Sequence, residues 1–160
     1  MQQIHMQKKE REITDREEMN EVLKNGKYAM IAMCRDNEPY VVTLSYGFDS
    51  QKNVLYLHSA AKGLKLTIIK DNPAVCATVI EDLGYLHNEC AHAYRSVVFW
   101  GAMSAVESLE EKKHGMEIMM NHLEEDPEPV RQRTLKNDRV YDSFTVLKLE
   151  ISHMTGKQGR

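Results

Sequence analysis

Val54-Leu55-Tyr56-Leu57-His58-Ser59-Ala60-Ala61-Lys62-Gly63-Leu64-Lys65-Leu66 decides how the chain is read. An alternating apolar run stops at a histidine and a serine, two lysines and a glycine follow, and the spacing then turns helical. The pattern is a strand feeding a helix expected from about Ala61, with cations and hydroxyls at the junction. A helix N-terminus offers N–H groups without intrahelical acceptors and the positive end of its dipole, so this junction suits an anion such as a phosphate. Lys62 and Lys65 are one turn apart and share a face on a helix, and Gly63 lets a ligand approach the backbone. The same spacing also describes an amphipathic helix start with two solvated lysines, and spacing alone leaves both readings open.

Upstream, Tyr28 to Cys34 and Tyr40 to Phe48 read as strands, separated by the polar turn Arg35-Asp36-Asn37-Glu38 and opened by Pro39. A second turn, Asp49 to Asn53, leads into Val54–Leu57, so three strands form an antiparallel meander. Before them, Thr14-Asp15-Arg16-Glu17 reads as a capping box with Thr14 as N-cap, and the helix it opens stops at Asn25-Gly26. Met1 to Glu12 is a loose, polar lead-in with no apolar h-region, so no secretion signal is read there.

Downstream, Asp71-Asn72-Pro73 ends the helix and Ala74 to Ile80 is a strand. Glu81 to His92 reads as a polar loop. Ala93 to Val106 is a long strand with Gly101 as a bulge or close-approach site. Ser108-Leu109-Glu110-Glu111 caps a helix to about Leu123, Glu124 to Val140 is irregular or a short helix, Ser143 to Ile151 is the last strand, and His153 to Arg160 is a basic tail. Six strands in hairpin-like succession, interrupted by helices, predict a mainly β, α+β fold: a closed or nearly closed antiparallel barrel in one domain spanning 1–160. No Gly-x-Gly-x-x-Gly follows a strand, which argues against a Rossmann domain.

The 160 residues are 42% apolar and 28% charged, as expected for a soluble globular protein with a proper core. A net charge of -3 and dispersed basic residues argue against nucleic acid as a partner. No apolar run approaches the roughly 20 residues a membrane helix needs. Three cysteines, Cys34, Cys76 and Cys90, imply no disulfide framework; Cys34 and Cys76 read as buried thiols, and the expected compartment is cytoplasmic.

Other groups carry candidate chemistry. Arg95, in Tyr94-Arg95-Ser96-Val97, interrupts an apolar strand and needs a partner: a phosphate, a ring carbonyl or a neighbouring glutamate. His87-x-x-Cys90-x-His92 has the residue types of a zinc site without a second ligand pair, so the expectation is a surface loop and no metal. His114 and His122 read as solvated. The Met116–Met120 face reads as core or dimer interface rather than a haem box.

Four segments in this order resemble a known family: Glu38-Pro39-Tyr40-Val41-Val42-Thr43-Leu44-Ser45-Tyr46, Leu55 to Lys65, Asn72-Pro73-Ala74-Val75-Cys76, and Tyr94 to Gly101. From roughly Arg11 to Lys157 the chain resembles the pyridoxamine-5′-phosphate-oxidase-like, FMN-binding split-barrel superfamily, most of all its nitroimidazole-resistance branch. The resemblance implies a six-stranded split β-barrel that forms a homodimer with FMN in clefts between subunits. It implies that His58, Ser59, Lys62, Gly63 and Lys65 hold the FMN phosphate. Val41, Val42, Thr43, Leu44 and Ser45 would line the flavin ring with backbone groups, and Tyr94, Arg95 and Ser96 would lie near the site. His58 is assigned a catalytic role beside the flavin. The family's Ser-Arg-Lys-Gly cluster is here Ala60-Ala61-Lys62-Gly63, which argues against a pyridoxal substrate and against very tight FMN binding. The implied function is an oxidoreductase reducing a small oxidised compound such as a nitroaromatic. The alternatives are a flavin- or haem-binding dimeric module without turnover, and a structural dimer without cofactor.

Overall fold

Tight turns set the strand order. Asp36 (φ 53°) and Asn37 (φ 63°) form a two-residue loop between β2 (Tyr28–Arg35) and β3 (Glu38–Asp49), with Arg35 opposite Glu38. Two consecutive positive-φ residues are what a twisted two-residue hairpin requires. After β3, the Asp49 carboxylate accepts from the Gln51 and Lys52 N–H groups, both at 3.1 Å, and the chain re-enters the sheet as β4 (Val54–Ala60).

The computed structural model describes residues 6–159. Beyond the meander lie α2 (Leu64–Asp71), β5 (Ala74–Leu86), β6 (Ala91–Ala105), α3 (Leu109–Leu123), α4 (Glu128–Thr134) and β7 (Phe144–Gln158). Before it stand β1 (Glu12–Ile13) and α1 (Arg16–Asn25). The strands run β7-β4-β3-β2-β5-β6, and β6 pairs back to β7. All pairings are antiparallel, so the predicted six-stranded barrel closes, and β1 adds a seventh short strand outside β7.

The barrel interior is filled by inward side chains of every barrel strand, among them Ile31, Leu55, Leu57, Val79, Phe99 and Leu149, all at 0% exposure. Each such side chain contributes roughly 1.5–3 kcal/mol through burial. A second apolar cluster lies outside the wall, where α3 covers Val54, Tyr56 and Val146 with Met119. Among the described residues no helix is long and apolar enough to cross a membrane.

Several expectations are corrected. The first helix is capped by Asp15, not Thr14: the Asp15 carboxylate accepts from the Glu18 N–H at 3.0 Å. Residues 81–92 are not a loop. β5 and β6 continue as a ribbon, with Tyr85 opposite His92, past an irregularity at Asp82–Tyr85 where Gly84 takes φ +101°. The ribbon is polar because much of it is exposed, not because it is irregular. The basic tail is also strand: β7 runs to Gln158, and buried Gly156 admits Ile13 and Met19. Of the lead-in, residues 1–5 lie outside the described residues, 9–11 form a 3-10 turn and 12–13 pair with β7. Cys34 and Cys76 are half-buried rather than buried, because they fall on the outward register of their strands. His122 is half-buried, its Nε2 2.5 Å from the Gly26 carbonyl oxygen. The Gly101 bulge is present: the β6–β7 register shifts between Trp100 and Gly101.

His114, expected in solvent, ties α3 to the β3–β4 turn through Asp49 at 2.8 Å. Burial of Asp49 raises its pKa, but the hydrogen bonds from His114 and the two turn N–H groups outweigh burial and hold it below the ordinary 3.8. A depressed carboxyl pKa adds stability above the unfolded value and loses it as pH falls through the folded one. Asp49→Asn is therefore expected to lower Tm at pH 7. The gap from wild type should narrow as pH drops below about 4; a gap independent of pH in thermal melts would rule this out.

Candidate functional site

The β4–α2 corner follows from one backbone angle. Ser59 and Ala60 stay paired with Thr145 and Phe144 of β7, and Gly63 takes φ +154°, a conformation that disfavours side chains. The helix therefore starts at Leu64 rather than near Ala61, so Lys62 precedes it and Lys65 lies in its first turn. Gly63 makes no side-chain cap; its carbonyl accepts from Leu66 N at 3.0 Å, and the N–H groups of Leu64 and Lys65 have no carbonyl within the helix. Lys62 is exposed and Lys65 half-buried, and neither joins an ion pair or hydrogen bond among the described residues. A β-carbon on Gly63 would meet only the Lys65 ammonium, at 3.9 Å, so the space before α2 is open. Free N–H groups, a helix dipole and two unpaired ammoniums make a receptor for a dianion.

Beside the corner, β3 loses a neighbour. β4 pairs with β3 only over Tyr46 to Asp49: beyond Leu57 it stays on β7 through Ala60 but leaves β3, and then turns into α2. The other edge of β3 is paired with β2 from Glu38 to Ser45. From Val41 to Ser45 the β4-side edge therefore presents backbone N–H and C=O groups without a strand partner, a ready hydrogen-bonding rail. Val41, Thr43 and Ser45 point outward and are exposed; Val42 and Leu44 are half-buried against the core. The Tyr46–Leu57 pair leaves Ser45 and His58 next along the two strands. His58 is exposed, with the Phe144 ring edge-on at 6.3 Å. Ser59 is buried, and its hydroxyl donates to the Ala60 carbonyl at 2.9 Å. One region thus gathers β3 41–45, His58, Lys62, Gly63 and Lys65.

Tyr94, Arg95 and Ser96 lie elsewhere in the chain. They lie in the first half of β6, three strands beyond β3 through β2 and β5. At about 4.8 Å per strand the separation is on the order of 14 Å. Arg95 is engaged by Glu81 at 2.6 Å and Glu21 at 3.8 Å. Its hydrogen bond to Glu81 raises the guanidinium pKa and lowers that of Glu81. Of the partners the sequence left open for Arg95, the single chain supplies the glutamate. The His87/Cys90/His92 segment is a hairpin tip where Tyr85 stacks edge-on with His87 at 5.4 Å and His92 at 5.0 Å.

The free β3 edge escaped sequence reading. The only signal was that the β4 run is shorter than that of β3. Also unread was the cleft between α3 and α4, of about 350 Å³, whose wall includes His58 and Phe144.

The family model for pyridoxamine 5′-phosphate oxidase matches residues 15–158. Among solved structures, a candidate 5-nitroimidazole antibiotic resistance protein of Bacteroides thetaiotaomicron is 25% identical with a TM-score of 0.77, covering 92% of this chain and 86% of that one. The FAD and heme binding protein of Mycobacterium smegmatis matches at TM-score 0.75 and 17% identity, covering 94% and 74%. An FAD-binding protein of Mesorhizobium loti matches at 0.69 and 21%, covering 94% and 98%. The last two likenesses establish the fold alone. An uncharacterized protein of Rhizobium meliloti is 35% identical over 69 residues, 43% of this chain and 44% of that protein, so the match spans less than half of either. The family match runs from the N-cap of α1 to the last residue of β7, and the chain belongs to the pyridoxamine 5′-phosphate oxidase family.

Proposed function

We propose that the protein is an FMN-binding homodimer that reduces a small oxidised compound, such as a nitroaromatic. The observation that carries this reading is the anion-receptive β4–α2 corner, side by side with the unpaired β3 edge. A flavin mononucleotide needs a dianion seat and a hydrogen-bonding edge for its ring within one molecule's length. The residues fit the group: the Gly63 space is open, the Leu64 and Lys65 N–H groups lack helix acceptors, and both ammoniums are unpaired. Lys62, Lys65 and the α2 N-terminus would hold the phosphate, and β3 41–45 would orient the ring.

Bound flavin would supply two-electron reduction; the chain supplies orientation, local charge and exclusion of water. The imidazole nitrogens of His58 have no hydrogen-bond partner among the described residues, which leaves Nδ1 or Nε2 free to hold a proton for the substrate. A second copy has a face to meet: Tyr28 is 60% exposed, Val41 61% and Ile80 49% on the outside of the β3–β2–β5 wall. Covering that face would remove a sizeable apolar patch from water. The Tyr94–Ser96 strand of one copy would then be available to the corner of the other.

Cofactor titration of the purified protein tests the reading. Saturable FMN binding with a flavin spectrum, one per chain, on a particle of dimer mass is expected. Anaerobic bleaching of that spectrum by a nicotinamide donor, and its return on adding a nitroaromatic, should follow. A haem spectrum, or flavin that is never reoxidised by substrate, would favour the module without turnover. No binding of FMN at all would end the flavin account.

A further inference from the structure

We propose that the cleft between α3 and α4 is a binding site for a compact, uncharged, planar ring compound, seated with one edge toward His58. Its service as a substrate seat rests on the flavin reading above; its existence as a binding site does not.

The cleft holds about 350 Å³, within the range of small-molecule sites. Its floor is α3, which contributes Met116, Met119, Met120 and Leu123. Thioethers adapt to the outline of a guest and favour contact with aromatic rings. One wall is the His58–Phe144 pair, whose ring planes stand at 79° to each other and offer an edge and a face.

The roof is α4 and the segment after it, with Val130, Leu135 and Val140 half-buried along it and Thr134 at its exposed rim. That roof is tied down. Arg131 donates to both carboxylate oxygens of Glu117, at 2.8 and 2.6 Å, and Lys113 pairs with Asp138 at 2.6 Å. Both ties run to α3 itself and fix where the segment sits over the methionines.

The lining selects by charge. His58 and Glu124 are its ionisable members, and Glu124 is an exposed carboxylate at the C-terminal end of α3. A carboxylate there, and no lysine or arginine in the lining, disfavours an anionic guest. The corner beside Lys62 and Lys65 has the opposite character. The two sites therefore take different parts of chemical space, and His58 stands between them: it follows the last β3–β4 pair, Tyr46–Leu57, toward the β4–α2 corner, and it lines the cleft.

The test is titration of the full-length protein, without flavin, with 2-naphthol and with 2-naphthoate, which share a ring and differ in charge. Saturable 2-naphthol binding, one per chain, with a Kd on the order of 0.1 mM is expected. 2-Naphthoate should bind at least about tenfold more weakly. Thr134→Trp should fill the cleft and abolish 2-naphthol binding while leaving the Kd for FMN unchanged. Equal binding of both probes, or none of either, would overturn the proposal without touching the flavin account. Displacement of 2-naphthol by FMN would overturn it too, because the flavin ring would then own the cleft. The two-probe comparison needs no variant, so a misfolded Thr134→Trp would not rescue the idea.

Discussion

Replacing Lys62 and Lys65 together with alanine is expected to weaken FMN binding about 100-fold, roughly 2.7 kcal/mol, while leaving riboflavin binding unchanged. Both ammoniums stand free of carboxylates, so nothing competes for them before a phosphate arrives. A hydrogen bond to a charged partner contributes about 1.5–3 kcal/mol when buried. Lys62 is exposed and Lys65 only half-buried, so the lower end applies to each, about tenfold in Kd. The N–H groups of Leu64 and Lys65 survive the substitution, so residual phosphate affinity should persist. Riboflavin has the same ring and no phosphate. A loss shared by both ligands would mean that the corner shapes the ring seat instead. An unchanged FMN affinity would remove the corner from the site. Wild-type FMN binding should also weaken as salt is added, and the double variant should lose part of that dependence.

The corner was legible because its signal is local. A strand, a histidine, two lysines and a glycine follow one another within a dozen residues, and a strand-to-helix junction exposes N–H groups by its geometry. The helix start was misread by three residues, since the apolar spacing from Ala61 hides the φ of Gly63. The two-residue turn at Asp36-Asn37 and the Ser108 cap, which accepts from Glu111 N at 3.2 Å, were legible for the same local reason. What stayed hidden depends on distant chain. Residues 153–158 read as a tail because their own pattern is polar, and pairing with distant strands makes them a strand: Ser96 of β6 and Glu12 of β1 both lie opposite Lys157, and Val98 lies opposite Thr155. The 81–92 ribbon is the same case. Its alternation is weak because much of it is exposed, and cross-strand pairing carries it instead of burial. Arg95 announced a need for a partner, yet its type gave no means of choosing Glu81, which sits directly opposite it in the β5–β6 ladder. The free edge of β3 is the hardest kind of feature to read, because it is made by a neighbouring strand leaving.

Gly47→Ala is expected to destabilise the fold by about 3 kcal/mol, a fall in Tm of roughly 6–12 °C. Backbone propensity points the other way: in a strand, exchanging glycine for alanine ordinarily gains about 0.5–1 kcal/mol. Contact decides the sign. A β-carbon on Gly47 would lie 2.5 Å from Met119 Cα and 2.6 Å from Met119 N, so it meets helix backbone rather than a side chain that can swing away. α3 is held at this distance one turn earlier as well, since Gly115 presses on the ring of Tyr56, the cross-strand partner of Gly47, where its own β-carbon would come within 2.6 Å. Relief requires lifting α3, and that opens the packing of Val54, Tyr56 and Val146 under Met119 and stretches the 2.8 Å contact between His114 and Asp49. The strain also falls on the floor of the cleft, where Met116 and Met120 sit on either side of Met119. The variant should therefore lose 2-naphthol binding at temperatures where it is still folded, while the β4–α2 corner, which α3 does not cover, keeps its affinity for FMN. A melting temperature within a degree of wild type would mean that α3 is not seated by this contact, and a rise would mean that propensity, not contact, governs the position.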